Sequence, residues 1–231
     1  MYLLEETPLL IDFNFSGKNI VVVGGGNECY KKLLKFISEQ PKIKVFSKSF
    51  SAGIKRLSRE GKVELVNFEV CNVDNFIKSL NPKPDLVIAA TDNPALNAEL
   101  AAKSKVYGCI VYAVDNPQLS DFKLPALAEV GDFKIAISTG GKSPAMARVL
   151  RKRVEELITE EDLLKIRLQL EVRGMLKKIF PDQKTRRRII YDILHDGKIS
   201  GFLKVGCFDE ALAEAFRVIE GHKSKVIKSN G

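Results

Sequence analysis

Three consecutive glycines, Gly24–Gly26, follow a run of β-branched residues and precede a basic amphipathic segment. A glycine turn between a strand and a helix lets the main chain approach a diphosphate, and the N–H groups at the helix start attract the anion. Gly24 and Gly26 take the first two positions of a GxGxxG pattern, and the small Cys29 takes the third. The pattern predicts a dinucleotide site, with a tight turn that binds nothing as the alternative. Its members are Gly24, Gly25, Gly26, Asn27 and Glu28.

The second predicted strand ends in Ser47, Lys48 and Ser49. A dinucleotide-binding unit that selects NAD often carries Asp or Glu at this point, where the carboxylate binds the ribose hydroxyls. Lys48 suits a 2′-phosphate equally well, so spacing alone leaves the choice between NAD and NADP open.

Polar residues also follow the fourth and most apolar predicted strand. The carboxyl ends of parallel strands line the ligand crevice, so these side chains are expected beside the cofactor. They are Thr91, Asp92, Asn93 and Asn97. Asn93-Pro94 is also an ordinary helix start, so capping alone is the alternative for Asp92 and Asn93.

The elements that position these residues alternate between strand and helix. Strands are predicted at residues 19–24, 43–47, 63–68, 85–91 and 108–115, and helices at residues 27–40, 51–61, 74–80 and 93–105, with Asp74 as a helix cap. This alternation predicts parallel βαβ units. After Asp115 the pattern becomes a loop, strands, a glycine turn and a long helix, and from Glu160 onward it is helical. The fold class is α/β, and the predicted domains are residues 1–115, 116–158 and 159–231.

Composition narrows the class of protein. The chain has 231 residues, 45% of them hydrophobic, and no apolar run approaches the length that a bilayer requires. Its start has no basic region or cleavage site, so a signal peptide is not expected. The four cysteines lie far apart, which favours reduced and mostly buried thiols in a cytoplasmic protein. His195 and His222 are the only histidines and are expected to be structural, so no metal site is predicted.

Several stretches together resemble one family. They are VVVGGGNECYKKLLKF, LVIAATDNPALN, the start PLLIDFNFSGKNIVVVGGG, and the long segment that begins VYAVDNP and includes AISTGGKSPAMARVLRKRVE. In this order and spacing they are similar to the precorrin-2 dehydrogenases, also called sirohydrochlorin synthases, which occur alone, as dehydrogenase–ferrochelatases or as the front part of sirohaem synthases. The resemblance covers residues 8–156. Tyr112 replaces a family Asn, and Glu28 places an acid near the expected diphosphate.

The resemblance implies NAD-dependent oxidation of precorrin-2, a polycarboxylate tetrapyrrole, to sirohydrochlorin. It implies a homodimer in which a Rossmann domain is followed by a small α+β dimerisation domain and a C-terminal helical domain. It makes Asp115 the expected catalytic acid/base, with a loop cap as the structural alternative. Insertion of Fe2+ or Co2+ is an additional activity of some relatives.

The net charge of +8 is consistent with a polycarboxylate substrate. Contacts with its carboxylates are expected from the STGGKSP turn and from nearby cations: Ser138, Gly140, Gly141, Lys142 and Arg148, with Lys123, Arg151 and Arg153 as further candidates. In the fused relatives the serine that aligns with Ser138 can be phosphorylated. Ser143 is expected to cap the following helix, with Pro144 in its first turn.

The competing hypothesis is a non-catalytic dinucleotide sensor with a basic, nucleic-acid-binding tail, which would bind DNA or RNA in a salt-sensitive manner. The densest basic stretch, KTRRRII, contains no recognition motif. We therefore expect neither a nucleic acid nor a membrane as a partner. An unrelated Rossmann oxidoreductase is the third hypothesis.

Overall fold

The computed structural model describes residues 9–229, which divide into two compact units, residues 9–124 and residues 125–229. The expectation about a signal peptide falls mostly on residues 1–8, which lie outside the described residues. Each unit is considered by itself.

A parallel five-stranded sheet forms the centre of the first unit, as the alternating pattern predicts. Its strands are β1 (Asn19–Val23), β2 (Lys42–Ser47), β3 (Glu64–Asn67), β4 (Leu86–Ala89) and β5 (Ile110–Ala113), in the order β3-β2-β1-β4-β5. The helices between them are α1 (Asn27–Leu33), α2 (Ala52–Arg59), α3 (Val73–Ser79) and α4 (Pro94–Val106). β1 lies at the centre of the sheet. β2 and β3 are added on one side of it, and β4 and β5 are then added on the other side.

Apolar side chains cover both faces of this sheet, which explains why β1 and β4 are continuous hydrophobic runs. On one face, Ile20, Val22 and Ile88 pack with residues of α1 and α2, including Leu33 and Ile54. The opposite face is packed by side chains of α3 and α4, among them Phe76 and Leu100. The carboxyl ends of the strands therefore meet at one edge of the sheet, between these two layers.

The helix predicted for residues 27–40 is wrong in length. α1 ends at Leu33, and the chain tightens through a hydrogen bond of 2.9 Å from Phe36 N to Leu33 O before a 3-10 turn at Ile37–Glu39. Phe36 is thereby buried in the core, 5.1 Å from the ring of Phe15. Burial of this aromatic ring outweighs continuation of the helix.

Asp74 does not cap α3. Asn72 does so by accepting a hydrogen bond of 2.8 Å from Asn75 N, while Asp74 pairs with Lys78 one turn along the helix. The sequence favoured the acid, but Asn is an equally good cap, and the helix begins one residue earlier than predicted.

The second unit begins with an antiparallel hairpin of β6 (Ala126–Val130) and β7 (Phe133–Ile137), and α5 (Pro144–Leu157) packs against it. Four further helices follow: α6 (Glu160–Ile179), α7 (Gln183–Leu194), α8 (Gly197–Lys204) and α9 (Phe208–Ser229). They enclose a core that includes Leu168, Ile189 and Leu203. The hairpin and the helical region match the predictions, although α8 was not singled out.

Among the described residues, no helix has both the length and the apolar character needed to cross a membrane.

Candidate dinucleotide site

The residues predicted to bind the dinucleotide lie at the carboxyl edge of the five-stranded sheet. Val23, Ala89 and Ala113 are in register across β1, β4 and β5, so the segments that follow these strands emerge side by side. The direction in which the chain adds strands to the sheet reverses between β1 and β4. Ligands of open parallel sheets bind in the crevice at such a reversal.

Two glycines of the turn are required by close packing. Gly24 has φ +124°, and a Cβ atom there would lie 2.2 Å from the carbonyl oxygen of Ala90. At Gly25 an added Cβ would lie 2.0 Å from the carbonyl oxygen of Ser49. Both contacts are too short for any side chain, so the turn lies directly against the segments after β4 and β2.

Gly26 is different, because no atom lies within 4 Å of the Cβ position there. Its φ is −81°, which any residue adopts. Packing within the protein therefore does not require glycine at this position. The main chain at Gly26 is exposed and open, which leaves room for a diphosphate to approach the turn closely.

Backbone hydrogen bonds hold the turn in place. Gly24 N donates to Phe46 O at 2.9 Å, and Ser51 N donates to Gly25 O at 2.8 Å. Gly26 is the N-cap residue of α1, and no side chain accepts a hydrogen bond at this cap. Backbone hydrogen bonds alone therefore hold the turn, and no capping side chain accepts from the N–H groups at the start of α1.

Glu28 pairs with Lys31 at 2.6 Å on the exposed face of α1. The hydrogen bond from Lys31 and the attraction of its charge hold the pKa of the Glu28 carboxyl below its usual value. The acid near the expected diphosphate is therefore neutralised by a lysine of its own helix.

At the end of β2, Lys48 forms an ion pair with Glu69, which follows β3. This hydrogen bond is the main cause of a raised pKa of the Lys48 ammonium group. Ser47 contributes its side chain next to the turn, since its Oγ would lie 2.8 Å from a Cβ at Gly25. Ser49 contributes the carbonyl oxygen that excludes such a Cβ.

Asn97 is buried and bound to Thr91 through both ends of its amide. Its Oδ1 accepts hydrogen bonds from Thr91 N at 3.0 Å and Thr91 Oγ1 at 2.7 Å, and its Nδ2 donates to Thr91 O at 3.1 Å. Asn93 caps α4 by accepting from Ala95 N and Leu96 N. These three residues shape the loop after β4, whereas Asp92 is exposed.

Asp115 follows β5 and is exposed. The capping role in this loop belongs to Asn116, whose Oδ1 accepts a hydrogen bond of 3.0 Å from Gln118 N at the 3-10 turn Pro117–Leu119. Within residues 9–224, whose side chains the structure describes, nothing forms a hydrogen bond or ion pair with the Asp115 carboxylate. The carboxylate therefore has no partner among these side chains, and it follows β5 at the carboxyl edge of the sheet.

Sequence reasoning missed two residues that bind the strand leading to Asp115. Ser120 Oγ accepts a hydrogen bond of 2.9 Å from Ala113 N, and Asp121 accepts one of 2.8 Å from Val111 N. These hydrogen bonds pair N–H groups on the outer edge of β5, next to which no further strand lies among the described residues. The only sign of this role in the sequence is that two polar residues, Ser120 and Asp121, occur soon after β5.

Tyr112 points into the core and stacks on Phe122 at 5.3 Å. The presence of Tyr in place of the Asn of the family therefore does not change the carboxyl edge of the sheet.

The STGGKSP turn lies in the second unit, between β7 and α5. Ser138 Oγ accepts from Gly140 N at 3.2 Å, and Lys142 N donates to Thr139 O at 3.0 Å. Ser143 caps α5 by accepting from Met146 N at 3.3 Å, which confirms its predicted role. Gly140 and Gly141 have positive φ values, and Arg148 is exposed on α5.

The histidines have local partners in the helical region: His222 Nε2 lies 2.9 Å from Asp192 Oδ2, and His195 Nδ1 lies 2.8 Å from Tyr191 O. All four cysteines are free, as predicted. Two of them, Cys29 and Cys109, are buried, so the prediction that most of the thiols are buried is correct for only half of them. Burial raises the pKa of the Cys29 thiol to about 12. Across the part of the chain that the structure describes, no three His, Cys, Asp or Glu side chains form a group suited to a metal ion.

Comparison with protein families gives two matches. An NAD(P)-binding family model matches residues 11–126, and a model for the central region of sirohaem biosynthesis proteins matches residues 130–157. The first match covers the glycine turn and all the strand ends described above.

Individual relatives agree with these matches. The chain is 32% identical to the precorrin-2 dehydrogenase of Methanosarcina barkeri, over 93% of this chain and 94% of that protein. It is 29% identical to the sirohaem synthase of Psychrobacter cryohalolentis, over 94% of this chain but 40% of that longer protein. A solved structure of SirC, a precorrin-2 dehydrogenase, has the same fold, with a TM-score of 0.71 at 18% identity over 91% of this chain and 100% of that chain.

Proposed function

Because this chain belongs to the family of the precorrin-2 dehydrogenases and the N-terminal part of the sirohaem synthases, we propose that it oxidises precorrin-2 to sirohydrochlorin with NAD+. The observation that carries the proposal is the uncommitted carboxylate of Asp115 at the sheet edge that also holds the glycine turn. A cytoplasmic location, with all four thiols reduced, is part of the proposal.

The glycine turn would hold the diphosphate of the dinucleotide. Its main chain is bare at Gly26, and its position is fixed by the hydrogen bonds of Gly24 and Gly25. When bound, the nicotinamide ring supplies the acceptor for a hydride from the macrocycle. The Thr91–Asn97 network supports this arrangement because it holds the main chain after β4 in one conformation.

Asp115 would act as the general base. Loss of a hydride leaves the macrocycle with a proton to release, and the Asp115 carboxylate accepts that proton at an oxygen atom. A positioned general base contributes about 10²- to 10⁴-fold to such a rate. Ser120 and Asp121 act as positioning residues, because they hold β5 and the loop that carries Asp115.

Anaerobic oxidation of precorrin-2 by NAD+, followed as sirohydrochlorin absorbance, tests this assignment. Asp115→Ala and the isosteric Asp115→Asn should both lower the rate by about 10²-fold or more. Calorimetric titration with NADH should give dissociation constants for both variants within about 3-fold of the wild type, since general-base work is separate from cofactor binding. Oxidation by Asp115→Asn at the wild-type rate would show that Asp115 is not the base.

Recognition of the substrate carboxylates is proposed for the turn before α5. Ser138, Gly140, Gly141, Lys142 and Arg148 remain the candidates. Three N–H groups of the turn are already used within it, those of Gly140, Lys142 and Ser143, so we place more weight on the side chain of exposed Arg148. Arg148→Ala should raise the KM for precorrin-2 more than it lowers kcat, and a kcat effect alone would contradict this role.

A homodimer is proposed through the hairpin and α5. Met146, Val149, Leu150 and Leu157 are exposed apolar residues at helical spacing on α5, and Leu127 is exposed on β6. A two-stranded sheet is marginal alone, and each of its strands pairs with a single neighbour among the described residues. A second copy of the chain would cover both features.

The mass in solution tests the dimer. Leu150→Asp should convert a dimer to a monomer in light scattering, whereas Leu170→Asp, at an exposed leucine of α6, should leave the dimer intact. A monomeric wild type, or dissociation by both variants, would refute this interface without bearing on the oxidation.

Metal insertion is not part of the proposed function, since no observation on the described residues favours it. Addition of Co2+ or Fe2+ after the oxidation measures it directly, as enzyme-dependent formation of the metallated product.

A further inference from the structure

The end of β2 lacks the acidic residue that commonly selects NAD, and it carries Lys48 instead. A lone lysine beside the ribose would favour the 2′-phosphate of NADP. The environment of Lys48 decides whether its charge is available for that phosphate.

Lys48 is held by the segment that follows the neighbouring strand. Glu69, just after β3, forms an ion pair with the Lys48 ammonium group. A backbone hydrogen bond of 3.1 Å from Phe68 N to Ser47 O joins the two segments directly beside this pair. The pair therefore joins two segments whose backbones are hydrogen-bonded to each other, and both of its side chains are exposed.

A second acid adds to the negative field. Asp92, which follows β4, contributes to the raised pKa of Lys48 together with Glu69 and Cys71, so its charge acts on Lys48. Lys48, Glu69 and Asp92 together carry a formal net charge of about −1 near neutral pH. The neighbouring Ser47 and Ser49 are uncharged.

The cluster lies where the adenosine ribose of a bound dinucleotide would be. Ser47 and Ser49 pack directly on Gly25, in the middle of the glycine turn. In a dinucleotide-binding unit the diphosphate lies on this turn and the ribose extends over the end of β2. A 2′-phosphate would therefore approach Lys48, Glu69 and Asp92 together.

We propose that Glu69 is the residue that selects NAD over NADP: from the loop after β3 it occupies Lys48 and repels a 2′-phosphate, in place of the acid missing from β2. This inference rests on the proposed function, because it assumes that the dinucleotide binds at the glycine turn. Neither the family matches nor the β2 motif assigns a role to Glu69.

Direct binding measurements test the proposal without turnover. Dissociation constants for NADH and NADPH are measured by calorimetry at low ionic strength on the full chain. The wild type should bind NADH about 10-fold or more tighter than NADPH. Glu69→Gln should reduce that preference by about 3- to 10-fold, mainly through tighter NADPH binding, because it removes the repulsion and releases Lys48.

The double variant Lys48→Met/Glu69→Gln separates the two parts of the effect. It should lose at least half of the gain in NADPH affinity, since the released ammonium group is gone. The gain of Glu69→Gln should also shrink as salt rises, because the groups involved are exposed.

Glu64→Gln is the matched control. Glu64 pairs with Lys44 at 3.2 Å across the same two strands, but at the opposite end of β3 from Glu69. This variant should leave the NADH:NADPH preference within about 2-fold of the wild type, because its charge lies far from the ribose.

Three outcomes would overturn the inference: equal binding of the two cofactors by the wild type, an unchanged preference in Glu69→Gln, or an equal change in Glu64→Gln. Failure of the wild type to bind either cofactor would instead refute the proposed function.

Discussion

Two glycine-bearing turns in this chain lead from a strand into a helix, one at Gly24–Gly26 and one at Gly140–Gly141. In the first, Gly24 and Gly25 lie against neighbouring carbonyl groups, and no side chain caps the helix that follows. In the second, Ser138, Thr139 and Ser143 accept hydrogen bonds from N–H groups of the turn and helix start. The two turns therefore differ in whether side chains accept hydrogen bonds from the N–H groups at the helix start, and not in the presence of glycine.

Substitution of one glycine in each turn should have the largest effect on this comparison. Gly24→Ala places a Cβ 2.2 Å from Ala90 O at a positive φ and should lower the free energy of unfolding by about 3 kcal/mol or more. Gly140→Ala has a positive φ but no atom within 4 Å, so its cost should be about 1 kcal/mol. Urea denaturation measures both. Equal costs would show that packing does not distinguish the turns.

Gly26→Ala sharpens the comparison, because it separates ligand binding from stability. The free energy of unfolding should change by less than about 1 kcal/mol, since the added methyl group meets no protein atom. The affinity for NADH should fall by about 10-fold, because the methyl group occupies the space through which the diphosphate would approach the main chain. Calorimetry and urea denaturation on one preparation give both values. An unchanged affinity for NADH would show that the diphosphate does not bind at Gly26.

Ser143→Ala should show the reverse behaviour in the second turn. Loss of the cap on α5 should lower the free energy of unfolding by about 1 kcal/mol. Affinity for NADH should remain within about 2-fold of the wild type, since the proposed diphosphate cradle is the other turn. A large loss of NADH affinity would contradict the division of roles between the turns.

The smallest expected effect compares one acid in each unit. Asp85 accepts a hydrogen bond from Asn19 N, and Asp162 accepts from Thr159 N; these backbone bonds are the main causes of a pKa below the usual value for each carboxyl. A depressed folded-state pKa contributes stability above the unfolded pKa of about 3.9, and that stability is lost as pH falls through the folded value.

Asp85→Asn and Asp162→Asn should therefore each lower the Tm slightly at pH 7, and the difference from the wild type should shrink below about pH 4. Thermal unfolding across pH 2–7, followed by circular dichroism, measures this. A difference that grows on acidification would have the wrong sign for a depressed pKa.

Prediction from sequence worked best where one local pattern decides the structure. The buried strands β1 and β4 and the cap Ser143 follow from residue type and spacing. It failed at α1, where burial of Phe36 ended the helix early, and at α3, where Asn72 took the capping position from Asp74. The first error arises because tertiary packing buries Phe36, and the second because Asn and Asp are equally good caps that the local pattern does not rank.

The sequence by itself determined the βαβ order, the glycine turn and the set of polar residues at the strand ends, because periodicity and spacing are local properties of the chain. Only the tertiary structure decided which of those residues are already bound. It joins Asn97 to Thr91 and Lys48 to Glu69, and it leaves Asp115 without a partner among the described side chains. The pairing of Lys48 with Glu69 depends on how parallel strands bring distant segments to one edge of the sheet, which no local pattern contains, whereas Asn97 and Thr91 lie only six residues apart along the chain.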